Sequence, residues 1–271
     1  MSTLTLSRPV TAPTRASWAT QTAEVTHRWT VDSLRQPWGL GVAIIQPVIW
    51  LVLFGNVFSS VGSVPGFGGE DYMTFLVPGI LMMTVLYSGA WAGTGFIDDI
   101  NSGVMDRMLT SPVSRSSLVA GQLVQQLLIC VVQGICVLGI GALAGAQYAG
   151  GVGGMALAIA ASLLLAAAFC SLSAAVALLA RDQTALIGIS TIIVLPATFL
   201  STTMMPADLM PEWVQDVSRW NPMTWAVELG RGGLSGEYPS NGWWQLGGLA
   251  VLAALAFIWA MRSIRAYQRS V

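Results

Sequence analysis

Six stretches of about twenty or more residues run through the sequence with hardly a charge in them: about 38–59, 73–97, 118–147, 153–180, 184–204 and 242–261. A helix needs about 20 apolar residues to cross a hydrocarbon core of roughly 30 Å, so each stretch predicts a transmembrane helix. Period-two alternation, the mark of a membrane barrel, is absent, and a backbone in lipid must satisfy itself internally. The expected fold is an all-α polytopic membrane protein, with residues 37–265 as one six-span domain. Pro47 should kink the first span, and Pro78-Gly79 lies in the second. Spans three and four meet at a turn dense in glycine (Gly150, Gly151, Gly153, Gly154), and only Arg181-Asp182-Gln183 separates the fourth from the fifth.

The polar ends read differently. Residues 1–15 are rich in Ser, Thr and Pro, which predicts disorder, and residues 1–36 lack the apolar core of a secretory leader. From 16 to 36, Trp18, Thr22, Val25 and Trp29 fall on one helical arc and Glu24, Arg28 and Arg35 on another. That pattern predicts an amphipathic helix in the cytoplasmic interface, both tryptophans toward lipid, ended by Pro37; a polar juxtamembrane linker is the alternative. Residues 266–271 form a second short tail.

Composition agrees with the pattern: 54% hydrophobic, 9% charged, mean hydropathy +0.67. The net charge of −1 says less than where the charges lie. With the N-terminus inside, Arg8, Arg15, Arg28, Arg35, Arg107, Arg115, Arg181, Arg262, Arg265 and Arg269 are cytoplasmic, and only Arg219 and Arg231 are outside. Positive charge stays inside, so both termini are expected in the cytoplasm of a cell-membrane protein and 205–241 outside. All twelve basic residues are arginine, which excludes a phosphate loop with its lysine. Cys130, Cys136 and Cys170 lie inside spans, without a C-x-x-C or a nearby histidine, so neither disulfide nor metal site is expected. His27, the single histidine, reads as a surface residue.

The spans carry essentially no ionisable side chain, where ion-coupled carriers keep relays, and this points to an external energy source. They do carry small residues: Ser162, Ala166, Cys170 and Ala174 at every fourth position, and the pair Gly141 and Gly145, both suited to close helix approach. Gln122, Gln126 and Gln133 share a face of span three, with Gln125 beside them. They either bond neighbouring helices or line a path for an amphipathic substrate.

Between spans two and three runs Asp98-Asp99-Ile100-Asn101-Ser102-Gly103-Val104-Met105-Asp106-Arg107-Met108-Leu109-Thr110-Ser111-Pro112-Val113-Ser114-Arg115. Val104 and Met108, with Leu109, would form an apolar ridge on a short helix, suited to a groove on another protein; a solvated loop is the alternative. The stretch from Gly103 to Arg115, followed by an apolar helix, resembles the hallmark of type-2 ABC transporter permeases, in particular the daunorubicin-resistance (DrrB-like) branch. Pro211-Glu212-Trp213, then Asn221-Pro222-Met223-Thr224 and Arg231, resembles that family's outer-loop pattern.

The resemblance implies a permease that pairs with a second copy or a homologous permease. It also implies two copies of a separate ATP-binding subunit, which would hold the ATP and Mg; this chain would bind no cofactor and no nucleic acid. The docking segment maps to Asp98, Asp99, Val104, Met105, Asp106, Arg107, Met108 and Leu109, followed by Pro112, Ser114 and Arg115. Pro211, Trp213, Asn221, Pro222 and Arg231 map to short re-entrant helices between spans five and six, where Trp213, Trp220, Trp225, Trp243 and Trp244 gather. The expected function is ATP-driven efflux of a hydrophobic or amphipathic small molecule such as an antibiotic. Export of a lipid-linked glycan or other envelope precursor, a secondary carrier and a membrane scaffold are the alternatives.

Overall fold

The computed structural model describes residues 17–35, 37–57, 72–111, 113–237, 240 and 242–268. The expectations for residues 1–16, for the end of the first span at 58–59, for Pro112 and for 269–271 lie outside the described residues. Among those described, regular structure is helical throughout. The helices are α1 (Trp18–Arg35), α2 (Pro37–Val57), α3 (Tyr72–Trp91), α4 (Thr94–Asn101), α5 (Val104–Thr110), α6 (Arg115–Leu143), α7 (Gly151–Ala180), α8 (Gln183–Phe199), α9 (Glu212–Arg219), α10 (Pro222–Ser235) and α11 (Gly242–Gln268).

Four stretches, Tyr72–Asn101, Arg115–Leu143, Gly151–Ala180 and Gly242–Gln268, are long and apolar enough to cross a membrane. α2 and α8 coincide with the other two predicted spans but are shorter as apolar helices. α8 stops at Phe199, short of residue 204: Pro196 lies in its last turn and Ser201-Thr202-Thr203 follow as buried, irregular chain. Asp182 accepts from the Ala185 amide at 2.7 Å and caps its start.

α7 is the axis of the bundle, with α3, α6, α10 and α11 against it. Ser162, Ala166, Cys170 and Ala174 are all buried, and Gly89 of α3 lies against the backbone at Ala166 and Cys170. The companion pair on α6 is not formed: the helix ends at Leu143, so Gly145 sits beyond it in a turn while Gly141 packs on Val77 and Tyr148. Cys130 and Cys170 are buried thiols, and no cysteine among the described residues is in a disulfide.

The core has two parts. A large cluster is centred on α3, α7 and α10 and includes Leu76, Leu86, Leu165 and Met223. A smaller one holds Phe96, Ile97, Met105, Leu118, Leu178 and Ile264, at the end where α4 and α5 lie. α1 packs on α6, with Thr22 and Val25 buried against the bare backbone of Gly121. Its apolar arc is the predicted one, but much of it faces protein: Trp29 meets Phe96 edge-on at 5.9 Å, and only Trp18 remains largely exposed.

Candidate functional site

The centre of the site is a break in a helix. α3 and α4 would be one rod but for a turn at Ala92-Gly93. A break inside an apolar bundle frees backbone groups that need partners, since a buried unsatisfied group costs about 1–3 kcal/mol. Three other helices supply them. Gln122 of α6 donates to the Ala92 carbonyl at 2.6 Å. Ser173 of α7 accepts from the Gly93 amide at 3.0 Å and donates to the Ala90 carbonyl at 2.6 Å. Ser190 of α8 donates to the same carbonyl at 3.0 Å. Position 93 requires glycine because a Cβ would stand 2.5 Å from the Ser173 carbonyl oxygen.

Ser173→Ala should therefore destabilise the protein by about 1–3 kcal/mol, by orphaning the Gly93 amide. Because Ser190 shares the Ala90 carbonyl, its own removal should not add independently. Thermal unfolding of the single and double variants measures both effects.

Beside the break opens a cavity of about 470 Å³, within the range of small-molecule sites. Trp29, Asp32 and Ser33 of α1, Val42, Gln46 and Trp50 of α2, Thr84, Tyr87, Ser88 and Trp91 of α3, Gly95 and Asp98 of α4, and Gln122, Gln125, Gln126 and Gln133 of α6 line it. The three glutamines of the sequence reading are thus brought together, and Gln125 joins them. All four are buried. Gln125 donates to Ser33 at 2.9 Å and Gln126 to Ser88 at 2.7 Å, so part of their capacity ties helices together. The Gln122 and Gln133 side-chain carbonyls have no hydrogen-bond partner. The aromatic wall of Trp50, Tyr87 and Trp91 was not singled out from sequence, because it comes from two helices.

α4 carries the cavity wall toward α5. Gly103 adopts φ +68°, a left-handed conformation that glycine takes without a side-chain clash, and turns the chain into α5. Here the expected ridge is rotated. Met105 is 1% exposed and Met108 and Leu109 lean on the same cluster, so this face holds α5 to the chain's own core. The reason is phase: positions i, i+3 and i+4 make the inner stripe of the helix, turned to the cluster of Phe96, Ile97, Leu118, Leu178 and Ile264. Val104 is half-buried, and Asp98, Asp106, Arg107 and Thr110 are exposed. Asp99 is largely covered and paired with Arg28 of α1. The Tyr267 hydroxyl of α11 donates to Asp106 at 3.2 Å, and the Arg181 guanidinium lies 4.6 Å over the Tyr267 ring. α5, the α7–α8 link and the end of α11 therefore meet. Ser114 caps α6 by accepting from the Ser117 amide, and Arg115 opens that helix.

The 205–241 segment contains a 3-10 turn at Ala207–Leu209, α9 and α10. Pro211 precedes α9, where Trp213 is exposed. Asn221 caps α10: it accepts from the Met223 amide at 2.9 Å and donates to the Ala197 and Leu200 carbonyls at 2.8 and 2.9 Å. Pro222 follows in the first helical turn. Arg231 donates to the Phe75 and Thr203 carbonyls. Trp220 and Trp243 are exposed, whereas Trp225 packs edge-on against Trp244 at 4.9 Å.

Residues 20–234 match the ABC-2 type transporter family, and the chain belongs to it. It is a type-2 ABC permease of the DrrB-like kind, a membrane-embedded multi-pass transport subunit. It is 28% identical over 259 residues to the daunorubicin resistance ABC transporter permease protein DrrB1 of Streptomyces coeruleorubidus, covering 94% of this chain and 89% of that one. A putative transport permease, ycf38, of Cyanophora paradoxa is 29% identical over 72% of this chain and 67% of its own length. The probable doxorubicin resistance permease DrrC of Mycobacterium tuberculosis is 23% identical, over 78% of this chain and 74% of its own length.

Proposed function

We propose that this permease exports a hydrophobic or amphipathic small molecule through the cavity between α1, α2, α3, α4 and α6. The observation that carries the reading is continuity. α4 forms part of the cavity wall at Gly95 and Asp98 and leads through one glycine turn into α5, so a push on α5 is delivered to the cavity. Two copies of a separate ATP-binding subunit, holding ATP and Mg, dock on the exposed side of α4–α5 and supply that push, and a second permease copy or homologue completes the transporter. The arginine distribution supports six spans with both termini in the cytoplasm. In this arrangement α9 and α10 lie at the outer face, where α10 is sheltered by α3, α7 and α11, as backbone at membrane depth requires. The drug-resistance names of two relatives favour a drug over an envelope precursor as cargo.

The test is reconstitution with the partner ATPase in vesicles. ATP-dependent uptake of an amphipathic dye should need both subunits. Thr84→Trp, which fills the cavity, should stop uptake while the ATPase still co-purifies. Undiminished uptake by that variant would place the route elsewhere.

A further inference from the structure

A second cavity, of about 430 Å³, opens between α9, α10 and α11 and shares no residue with the one beside the helix break. Its wall carries opposite charges, Arg219 from the end of α9 and Glu228 from α10, together with the indoles of Trp220, Trp225 and Trp244. Neither charge is firmly engaged by the chain. Arg219 meets Asp216 at a single contact of 3.7 Å, beyond hydrogen-bond reach and between two exposed side chains, a weak pairing in water. Half-buried Glu228 accepts from Gln245 of α11 through one oxygen and, among the described residues, makes no ion pair. Arg231, one turn further along α10, engages the Phe75 and Thr203 carbonyls instead. The indole planes of Trp225 and Trp244 cross at 69° with centroids 4.9 Å apart. Trp225 Nε1 donates to the Arg219 carbonyl at 2.7 Å, and a Cβ at Gly248 would stand 2.8 Å from the Trp225 ring, so α9 and the bare backbone of α11 together fix this indole. A carboxylate flanked by aromatic faces suits an ammonium, and a guanidinium suits a phosphate.

The course of α11 indicates which ligand joins those two charges. After Trp244, Gly247, Val251, Leu255 and Ile258 follow at i+3, i+7, i+11 and i+14, so the five share one helical face, and all are exposed. This apolar stripe leads from the cavity along a helix long enough to cross a membrane. Trp213 and Trp243 are exposed as well, and tryptophan gathers at the level of lipid headgroups.

We infer that the cavity between α9, α10 and α11 binds the headgroup of a zwitterionic phospholipid. Arg219 holds the phosphate, Glu228 and the indoles hold the ammonium, and an acyl chain lies along the α11 stripe. A soluble phosphate ester with an ammonium group shares the headgroup chemistry but has no use for the stripe.

Native mass spectrometry of the purified chain in detergent, titrated with dioleoyl phosphatidylethanolamine or dioleoyl phosphatidylglycerol, tests this. The two lipids share acyl chains and phosphate and differ in the ammonium. Phosphatidylethanolamine should bind about tenfold more tightly than phosphatidylglycerol. Glu228→Gln keeps the side-chain shape and a hydrogen-bonding group for Gln245, and it should erase that preference by weakening phosphatidylethanolamine about tenfold. Phosphatidylglycerol binding should not fall in Glu228→Gln, which also shows that the variant is folded. Arg219→Gln, at an exposed position, should weaken both lipids. Glycerophosphoethanolamine, the headgroup without its chains, should not displace phosphatidylethanolamine at equal concentration. Equal affinity for the two lipids, or phosphatidylethanolamine binding unmoved in either variant, overturns the inference. Displacement by an equal concentration of glycerophosphoethanolamine would make the ligand a soluble zwitterion and overturn the assignment to a lipid.

Discussion

An aspartate at Met105 should abolish ATP-driven transport while the chain still reaches the membrane. α5 is seven residues long, far too short to be stable alone, so its position depends on what its inner face buries. That face is Met105, Met108 and Leu109 against the cluster of Phe96, Ile97, Leu178 and Ile264. Truncating a buried methionine to alanine typically costs about 2–5 kcal/mol, and an unpaired carboxylate in the same place costs several kcal/mol unless water reaches it. A penalty of that size is comparable with the whole docking energy of one short helix. α5 should therefore leave its seat, and the proposed ATPase contact should lose its lever on α4. Transport should fall by more than about tenfold, since each 1.4 kcal/mol is a factor of ten. Met105→Leu conserves volume and should keep most activity. Arg107→Gln alters an exposed charge, worth roughly 0–1 kcal/mol in any ion pair, and should change little. Transport and ATPase co-purification for the three variants, normalised to permease in the membrane, decide the matter. Normal transport by Met105→Asp would mean that the seat of α5 does not transmit the power stroke.

The contrast between Met105 and Val104 shows what the sequence makes legible and what it leaves out. Apolar run length located α2, α3, α6, α7, α8 and α11 because a run is a local property of the chain. The polar segment between the second and third predicted spans stood out by its pattern, but the pattern did not say which side of α5 faces home, because that depends on residues of α7 and α11, both far along the chain. Trp29 posed the same ambiguity: an indole on an amphipathic arc can face lipid or, as here, Phe96. The break at Ala92-Gly93 was missed since an Ala-Gly step inside a hydrophobic run carries no helix-stop signal of its own. Its stability resides in Gln122, Ser173 and Ser190, which come from three different helices. The glutamine face was visible as a period, whereas the cavity beside it needed α1 and α2 to be placed. Gly145 went the other way: its spacing from Gly141 suggested a helical pair, but α6 had already ended.

Arg231→Met should be the most destabilising single change on the side of the molecule that carries α9 and α10. The guanidinium lies 3.6 Å above the Phe75 ring, its Nε donates to the Phe75 carbonyl at 3.2 Å, and Nη2 donates to the Thr203 carbonyl at 3.0 Å. One side chain thus ties α10 to the first turns of α3 and to the irregular chain after α8. That chain is fully buried at Thr203 and passes against Gly79, so its carbonyl has little access to replacement partners. Hydrogen bonds from a charged donor are worth about 1.5–3 kcal/mol each, so losing both should cost roughly 3–6 kcal/mol. For a chain of this size that corresponds to a fall in melting temperature of roughly 10 °C. Lysine keeps the charge but lacks the planar fork that reaches two carbonyls at once, so Arg231→Lys should fall between methionine and the parent. Melting of the purified proteins in one detergent gives the order directly. If methionine and lysine melt alike and well below the parent, the fork geometry rather than the charge holds the three segments together; if both melt with the parent, the clamp contributes nothing and α10 is held by its packing on α3, α7 and α11.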